Sequence, residues 1–525
     1  MVEVDTVSDP VGTLDDDVAK LHALGYAQEL RRRMGSFSNF AVSFTIISIL
    51  SGCLTLFGFG MTTGGPATMV WGWVAVGLMT TVVALGMAEV CSSMPTAGGL
   101  YYWSAKLAKR NGAAWSWFTG WFNLLGQVAV TAGIDFGMAQ FLGAFLSLTT
   151  GYTATRGHTV LLYAGILLVH ALLNSRGVRL VSILSDVSVW WHVLGVAVIV
   201  GVLFIVPTHH ASPAFVFTHL VNDTGFNSMF YAVLIGLLMA QYTFTGYDAS
   251  AHMSEETVNA SVAGPKGIVN SVIVSLVAGF ALIVGILFAI HGNYTSALGS
   301  ATGVPPAQIF LDAVGRHGGE LLLLVAIVAQ GFCGMASVTA NSRMIYAFSR
   351  DGALPGHRYW HRINPRTRTP TNGIWFAAVF AFLLGLPYIW SPVAYFAVTS
   401  IAVIGLYISY VTPTLLRRLR GAAFERGPWH LGRWSALVGW LGVLWVGVVV
   451  VLFMLPQVGP LRSISWSTFN YAPVAVIVVL LFAGGYWLLS ARKWFTGPRA
   501  QGDLAEMQAI EAEFSEVETI LEEID

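Results

Sequence analysis

Two hydrophobic stretches of this sequence are interrupted by small and polar residues. Ser-Gly-Cys at 51–53 breaks the apolar run of residues 46–60, and Thr-Gly-Tyr at 245–247 breaks the run of residues 239–256. An unpaired backbone group costs several kcal/mol inside a bilayer, so such a break is tolerated only where it is enclosed by protein or lines a cavity. Paired breaks at matching positions in two halves of a chain are the best sequence-level indication of a substrate site within a membrane.

The two breaks offer complementary chemistry for a small ligand that carries both charges. The N-terminus of a half-helix presents unpaired N–H groups and a partial positive charge to a carboxylate, and glycine lets the ligand approach the backbone closely. At the second break, exposed carbonyl groups and aromatic rings suit an ammonium group. The predicted substrate-binding residues are Ser51, Gly52, Cys53 and Thr55 for the carboxylate, Phe244, Thr245, Gly246 and Tyr247 for the amine, and Gln127 on the third span. The alternative is that the glycines only permit close helix packing.

Composition places these breaks in an integral membrane protein. The chain has 525 residues, of which 55% are hydrophobic and 10% are charged, whereas a soluble protein carries about 25% charged residues. A helix needs ~20 residues to cross a bilayer. On this criterion the sequence predicts an all-α protein with about twelve spans, near residues 38–60, 67–92, 115–147, 159–174, 178–207, 229–253, 267–291, 319–347, 372–388, 393–413, 435–455 and 471–490.

The basic residues indicate how the chain is oriented. Almost all of the 27 lysines and arginines lie in the terminal segments and in alternate loops, and the opposite side keeps only Arg156, Arg316 and Arg462. Loops rich in lysine and arginine remain in the cytoplasm. Both termini are therefore predicted to be cytoplasmic, with the protein in the plasma membrane.

The same features divide the chain into three parts. We expect a cytoplasmic leader at 1–35, a membrane domain at 36–492 and an acidic cytoplasmic tail at 493–525. Within the tail the apolar residues Met507, Ile510, Phe514, Val517 and Leu521 recur with helical spacing. The tail is thus predicted to be an amphipathic helix that rests on the basic cytoplasmic loops, and a coiled coil is the weaker alternative.

Ionisable residues within the predicted spans are rare and therefore informative. A histidine side chain ordinarily titrates near neutral pH, so we expect His192 to load and release a proton; its alternative role is a hydrogen bond to the backbone or to Ser51. Asp248 follows the second break, where we expect it mainly to cap the half-helix that begins near Ala249, with ion coupling as its second role. The candidates for gate salt bridges at cytoplasmic helix ends are Glu89, Glu255 and Arg343, in one cluster with Glu256 and Arg350. Interfacial anchoring is an equal alternative for all five.

The remaining reactive residues suggest neither a cofactor nor a metal. Cys53, Cys91 and Cys333 lie within or at the ends of hydrophobic spans, and the sequence has no CxxC pair and no His/Cys cluster at zinc spacing. No convergent set of acid–base, nucleophilic or metal-binding residues indicates an enzyme. The expected partners are a small amino acid or amine, protons and membrane lipid, with no nucleic acid. A passive channel or a nutrient sensor is the alternative to a carrier.

Four motifs together resemble the amino acid–polyamine–organocation superfamily of secondary transporters, and the resemblance covers residues 25–490. The first, LGYAQELRRRMGSFSNFAVSFTIISILSGCLTLFGFGMTTGGP at 24–66, is similar to the amino acid/choline branch. The others are AEVCSSMPTAGGLYYW at 88–103, FTGYDASAHMSEE at 244–256 and NSRMIYAFSRDGALP at 341–355. Each motif alone is a weak signal, but the four in this order make the resemblance specific.

This resemblance implies both a fold and a function. The fold is a five-plus-five inverted repeat with discontinuous helices 1 and 6: repeat one at about 38–207, repeat two at about 229–413, and peripheral spans at 435–490. The function is a permease that moves a small amino acid or related amine by alternating access, with γ-aminobutyrate favoured. A choline or polyamine carrier and a substrate exchanger are the alternatives. Many family members place a lysine that stands in for sodium at the position of His192, so histidine here favours proton symport.

Overall fold

The computed structural model of this chain describes residues 14–290, 294–300, 302–459, 465–466 and 468–522. Over these residues the regular structure is helical, and the strand-like pairings are isolated bridges such as that between Met34 and Thr257. In the same ranges, 11 helices are long and apolar enough to cross a membrane, and a shorter apolar helix, Met229–Thr243, accompanies them. The predicted all-α membrane fold with about twelve spans is confirmed.

The spans are numbered here in chain order, and two of them are broken. Span 1 consists of Ser36–Ile47, Gly52–Thr55 and Phe57–Thr62; span 6 consists of Met229–Gly236, Leu238–Thr243, Ala249–His252 and the 3-10 turn Ser254–Glu256. The others are span 2, Gly65–Ser93; span 3, Gly112–Thr150; span 4, Arg156–Ser175; span 5, Val178–Ile205; span 7, Ala260–Phe288; span 8, Pro305–Arg350; span 9, Thr371–Gly385; span 10, Val393–Arg420; span 11, Ser435–Met454; and span 12, Ala472–Leu489.

Local sequence explains where several spans begin. The hydroxyl of Thr155 accepts a hydrogen bond from the N–H of His158 at the start of span 4, and Ser228 does the same for Tyr231 in span 6, each at 3.2 Å. These caps satisfy N–H groups that have no partner within the helix. Span 8 begins earlier than predicted because a second helix joins it at Gly315, where φ is 75° and ψ is 177°.

Several helices lie outside the spans. The leader forms the helix Leu14–Leu24, and the tail forms Leu504–Glu522, where apolar spacing predicted a helix. Four short helices occur in segments that hydropathy treats as loops: Gly99–Leu107, Pro213–Thr218, Tyr294–Leu298 and His357–Trp360. These elements are too short to show a reliable hydropathy signal.

The two broken helices pack directly against each other. The hydroxyl of Ser43 in span 1 donates to the carbonyl of Tyr247 in span 6 at 3.0 Å, and its oxygen lies 2.7 Å from that of Ser250. A Cβ atom on Gly52 would lie 2.8 Å from the Cα of Thr243. Glycine at 52 therefore lets the backbones of spans 1 and 6 meet, as small residues do in membrane helices.

Gly246 makes the reciprocal contact on span 6. Its φ of +88° lies in the left-handed region that favours glycine, and a Cβ atom here would lie 2.1 Å from Cγ2 of Ile46 in span 1. Close packing, the alternative role for the two glycines, is thus present at both breaks. It does not exclude a ligand from the other faces of the unwound segments.

Spans 3, 8 and 10 surround this crossing. Span 3 packs on spans 8 and 10, span 2 packs on span 7, and span 7 packs on span 1. Spans 11 and 12 contact spans 2, 3 and 10, and they leave much of their apolar surface exposed, as at Leu444 and Leu481. The broken helices therefore lie in the middle of the bundle, where polar side chains are enclosed by protein.

Enlarging Gly246 should destabilise the bundle. Gly246→Ala places a methyl group against Ile46 and forces a left-handed backbone on alanine, and overpacking alone costs about 1–3 kcal/mol. We expect a Tm several degrees below that of the unsubstituted protein in detergent. The matched control is Gly165→Ala in span 4, where no atom lies within 4 Å of the new Cβ. Equal Tm values for the two variants would contradict the packing described here.

Candidate functional site at the two helix breaks

The break in span 1 leaves backbone donors unpaired. Ser48, with φ 34° and ψ 86°, ends the first helical segment, and the N–H of Gly52 restarts the helix by donating to Ser48 O at 2.9 Å. Within the described chain, the N–H groups of Ile49 and Leu50 donate to no protein acceptor, although both residues are buried. Buried N–H groups without partners are rare, and two at the start of a half-helix form a favourable site for an anion.

The side chains predicted for the carboxylate mostly bind their own helix. Thr55 Oγ1 donates to Ser51 O at 3.0 Å, and Cys53 Sγ donates to Ile49 O at 2.6 Å. The Cα of Gly52 faces Thr243, as described above. The free donors of this break therefore belong to the backbone that precedes Ser51, one turn earlier than the residues that the sequence indicated.

The break in span 6 is satisfied by two tyrosines of span 10. The hydroxyl of Tyr407 donates to Phe244 O at 2.6 Å, and the N–H of Gly246 donates to the hydroxyl oxygen of Tyr410 at 3.0 Å. Thr245 Oγ1 donates to Tyr242 O at 2.7 Å. Two of the carbonyl groups expected to be free for an ammonium group are therefore already bound. The carbonyl of Phe244 accepts from Tyr407, and that of Tyr242 accepts from Thr245.

The two aromatic rings predicted for the amine point in different directions. The ring of Phe244 packs on Trp73 of span 2, with centroids 4.6 Å apart. The ring of Tyr247 packs on Tyr410 of span 10 at 4.7 Å, and its buried hydroxyl has no hydrogen-bond partner among the described residues. Tyr247 therefore keeps an unused polar group near the break, whereas Phe244 belongs to the packing between spans 2 and 6.

Asp248 connects three spans instead of capping a helix. It occupies the N-cap position of Ala249–His252, but its side chain makes no capping hydrogen bond, so the expected capping role was wrong. Its Oδ1 accepts from the hydroxyl of Tyr410 at 2.6 Å, and its Oδ2 accepts from Gln127 Nε2 at 2.8 Å and from Asn123 Nδ2 at 3.4 Å. Gln127, predicted to face the substrate, therefore orients this carboxylate.

Buried polar groups without partners lie close to the breaks. Both amide atoms of Gln241 and the hydroxyl of Tyr242, just before the break in span 6, have no hydrogen-bond partner among the described residues. The same holds for Gln330 Oε1 and Asn341 Oδ1 of span 8. Each such group costs about 1–3 kcal/mol, so a polar ligand that reaches them gains that energy. Sequence reasoning missed Gln241 and Tyr242, although two polar residues beside a break were a usable signal.

His192 binds the segment that unwinds in span 1. Its Nε2 lies 2.7 Å from Ser48 Oγ, and its Nδ1 lies 2.8 Å from the carbonyl of Ser188. The alternative role expected for His192 was a hydrogen bond to the backbone or to Ser51. The backbone bond is present, and the serine that His192 contacts is Ser48 instead of Ser51. Both ring nitrogens therefore have neutral partners.

The three cysteines are free, buried thiols. Cys333 Sγ donates to Ile46 O at 3.2 Å, which ties span 8 to span 1. Across the described ranges of the chain, no group of three or more His, Cys, Asp or Glu residues is placed to hold a metal ion.

Two buried ion pairs lie beyond the span 6 break, at the end of span 6. Arg343 Nε lies 2.7 Å from Glu256 Oε1, and Arg350 donates to both carboxylate oxygens of Glu255 at 3.0 Å. These pairs join the end of span 6 to span 8, and all four side chains are at most 4% exposed. Glu89 lies elsewhere, 3.6 Å from Arg417 and 3.5 Å from Arg418 of span 10.

The leader contacts one of these ion pairs and the residue that follows it. The guanidinium of Arg350 lies 3.8 Å from the ring centroid of Tyr26, whose hydroxyl donates to Asp351 at 3.1 Å. Tyr101 donates to the same carboxylate at 2.7 Å. Burial and the nearby Asp351 raise the pKa of Tyr26 well above its usual value, so it remains a donor at every physiological pH.

The tail in turn holds the leader. His22 Nε2 lies 2.7 Å from Glu511 Oε1, which also accepts from the N–H of Gln28 at 2.7 Å. The N–H of Gln501 donates to Gly25 O at 2.9 Å. Leader and tail therefore pack together next to these ion pairs, an association that hydropathy and charge counts alone did not reveal.

Removing one partner of the Glu256–Arg343 ion pair should destabilise the protein. Glu256→Gln leaves the guanidinium of Arg343 buried without a counter-charge, and such a loss costs about 3–5 kcal/mol. We expect a clear fall in Tm in detergent. The control is Glu320→Gln, which removes the surface pair with the 66% exposed side chain of Arg316 and should change Tm little. A Tm for Glu256→Gln equal to that of the control would show that the pair does not stabilise this state.

Comparison with known proteins assigns the chain to a family. It is 45% identical over 508 residues to the amino-acid permease BAT1 of Arabidopsis thaliana, which covers 93% of this chain and 97% of the relative. It is also 45% identical over 501 residues to a BAT1 homolog of Oryza sativa subsp. japonica, covering 92% and 96%. A GABA-specific permease of Saccharomyces cerevisiae is 31% identical over 493 residues, covering 92% and 86%. The amino acid permease family model matches residues 35–482, and the chain therefore belongs to the amino acid permease family of the amino acid–polyamine–organocation superfamily: it is a multi-pass membrane transporter and not an enzyme.

Proposed function

We propose that this permease carries a small amino acid or related amine across the plasma membrane by proton-coupled alternating access, with both termini in the cytoplasm. The observation that carries the proposal is the pair of unwound segments in spans 1 and 6. They meet inside the bundle, and span 1 leaves the N–H groups of Ile49 and Leu50 without protein acceptors. An amino acid carboxylate supplies the acceptors that these groups lack.

The donors at span 1 favour a substrate with a carboxylate. Choline and polyamines have none, so they leave the Ile49 and Leu50 N–H groups unpaired at about 1–3 kcal/mol each. The amine end of the substrate then meets the polar side chains near the span 6 break, Gln241 and Tyr247 among them. We favour γ-aminobutyrate, in keeping with the yeast relative named as GABA-specific. A choline or polyamine carrier and a substrate exchanger are the alternatives.

Alternating access is supported by the closed cytoplasmic end. Ser51 is 1% exposed and Tyr247 is fully buried, and the Glu255–Arg350 and Glu256–Arg343 pairs lie between the breaks and the cytoplasmic leader. Release of a substrate to the cytoplasm requires these pairs to separate. We therefore propose that they are the gate, and that Glu89 serves the interface between spans 2 and 10.

The test uses the purified full-length chain in two assays. A thermal-shift screen compares γ-aminobutyrate, proteinogenic amino acids, choline and polyamines, and we expect stabilisation by amino acids that contain a free carboxylate. Counterflow of the radiolabelled amino acid in proteoliposomes then separates a carrier from a channel, which conducts without counterflow, and from a sensor, which binds without exchange. Binding of choline with no response to any amino acid would contradict the proposed substrate class.

Gln241 should contribute to affinity more than to folding. In Gln241→Leu the substrate loses a hydrogen-bonding amide, and an interaction of about 1.4 kcal/mol corresponds to a tenfold weaker apparent affinity. Tm without substrate should not fall, because the variant removes two unpaired buried atoms. The control is Gln308→Leu, whose exposed amide donates to Asp312. Unchanged counterflow affinity in Gln241→Leu would place the substrate elsewhere in the bundle.

A further inference from the structure

His252, on the cytoplasmic half of span 6, has an acceptor at each ring nitrogen. Its Nδ1 lies 2.9 Å from the carbonyl oxygen of Ala97, and its Nε2 lies 3.3 Å from Asp248 Oδ2, at ion-pair distance but outside hydrogen-bond geometry. Both side chains of the pair are 0% exposed. A neutral imidazole carries one N–H and one lone pair. The neutral form protonated at Nδ1 satisfies the Ala97 carbonyl and leaves the Nε2 lone pair 3.3 Å from the Asp248 carboxylate, so a second proton on Nε2 would turn this contact into an ion pair.

His192 has a different environment. Its Nδ1 faces a carbonyl, which requires an N–H, but its Nε2 faces the hydroxyl of Ser48, which can donate to a lone pair. The neutral imidazole therefore satisfies both contacts. A protonated His192 would have no carboxylate among its hydrogen-bond partners, and an unpaired buried charge is far more costly than a paired one.

A third buried histidine, His170, also faces a carboxylate. Its Nδ1 lies 3.1 Å from Asp135 Oδ1 in span 3. The pair joins spans 3 and 4 and contacts Gly334 of span 8, whereas Asp248 belongs to the broken helix itself. Of the two histidine–aspartate pairs, only Asp248–His252 therefore lies on the broken helix of span 6.

We propose that the Asp248–His252 dyad is the proton-carrying site of this permease, with His252 as the group that gains and loses the proton. The inference rests on the proposed proton-coupled function and shifts the proton from His192, the position indicated by the sequence, to span 6. In the cycle the proton binds the dyad while the cytoplasmic gate is closed and leaves it after the gate has opened. The proton is only bound and released, so no covalent bond to carbon or substrate changes.

The dyad is connected to the substrate site through Asp248. Tyr410, which donates to Asp248 Oδ1, also accepts from the N–H of Gly246 at the break, and Gln127 holds the second carboxylate oxygen. Loss of the proton sets the lone pair of His252 against the carboxylate. The resulting repulsion acts on the same side chain that fixes the unwound backbone of span 6.

The dyad is connected to the cytoplasmic gate through Ala97. The carbonyl of Ala97 accepts from His252, and its N–H donates to Glu255 Oε1 at 3.0 Å. Glu255 is the partner of Arg350 in the gate. Ala97 is thus the one residue between His252 and the gate, so a change of charge at His252 alters a contact that also positions Glu255.

Titratable groups also face the dyad from the elements around it. They are Tyr247 and Glu255 of span 6, Tyr410 of span 10 and, beyond Glu255, Arg350 of span 8, while span 3 contributes the neutral amides of Asn123 and Gln127.

The decisive experiment compares accumulation with exchange in proteoliposomes that contain the full chain. The probe is radiolabelled γ-aminobutyrate, or the amino acid with the largest thermal shift if that differs. An inward proton gradient should drive accumulation of about tenfold per pH unit in the unsubstituted protein if one proton is coupled. His252→Gln should reduce accumulation to a concentration ratio near one while counterflow continues. His317→Gln, at a histidine side chain that is 94% exposed, is the control and should accumulate normally.

Two rival variants make the outcome specific. Normal accumulation by His252→Gln would overturn the assignment, as would selective loss of accumulation in His192→Gln or His170→Gln. Counterflow without gradient-driven accumulation in the unsubstituted protein is a different result, because it removes proton coupling from the proposed function itself. If His252→Gln does not fold, the smaller His252→Asn, which also keeps an amide donor, replaces it in the same assay.

A spectroscopic measurement tests the protonation state without transport. In protein labelled with ¹⁵N-histidine at pH 7, the signal that disappears in His252→Gln or His252→Asn should show two protonated ring nitrogens. The signal that disappears in His192→Gln should show one. A neutral imidazole at His252 would refute the proposal even if every variant folds and exchanges substrate.

Discussion

A helix that unwinds inside a bilayer must find new partners for its backbone N–H and C=O groups, and the two breaks of this permease meet that demand in different ways. At the span 6 break the tyrosines of span 10 supply partners for Phe244 O and the Gly246 N–H. At the span 1 break the N–H groups of Ile49 and Leu50 receive none from the described chain. The span 6 break is therefore held by the protein itself, whereas the span 1 break keeps two backbone donors, with which a substrate carboxylate pairs in the proposed function.

This asymmetry explains why the glycines and the binding groups are not the same residues. Gly52 and Gly246 allow the backbones of spans 1 and 6 to approach, since a side chain on either would collide with the other helix. These glycine contacts determine where along the two helices the breaks lie against each other. The donors for a ligand then come from the turn before Gly52, while the polar side chains without partners come from the turn before Phe244.

Sequence reasoning located the two breaks, the spans and the family because these features depend on composition and short motifs. It could not decide where side chains point. Phe244 and Tyr247 are three residues apart, yet one ring packs on span 2 and the other on span 10. Gln127 and Asp248 were assigned separate roles, although a 2.8 Å hydrogen bond makes them one unit. Sequence placed Glu256 and Arg343 in one cluster of charges, but it could not show which of them pair. That pair, and the contact of Tyr26 with Arg350, link segments far apart in the chain.

A series of polar contacts runs from the span 6 break to the leader and the tail. Asp248 holds the break through Tyr410, His252 joins Asp248 to Ala97, and Ala97 joins His252 to Glu255. Glu255 binds Arg350, on which the ring of Tyr26 rests, and the tail holds the leader that carries Tyr26. Glu255 and Arg350 form a buried ion pair, so displacement of either leaves the other unpaired at a cost of about 3–5 kcal/mol. The contacts on either side of this pair are therefore expected to separate together with it.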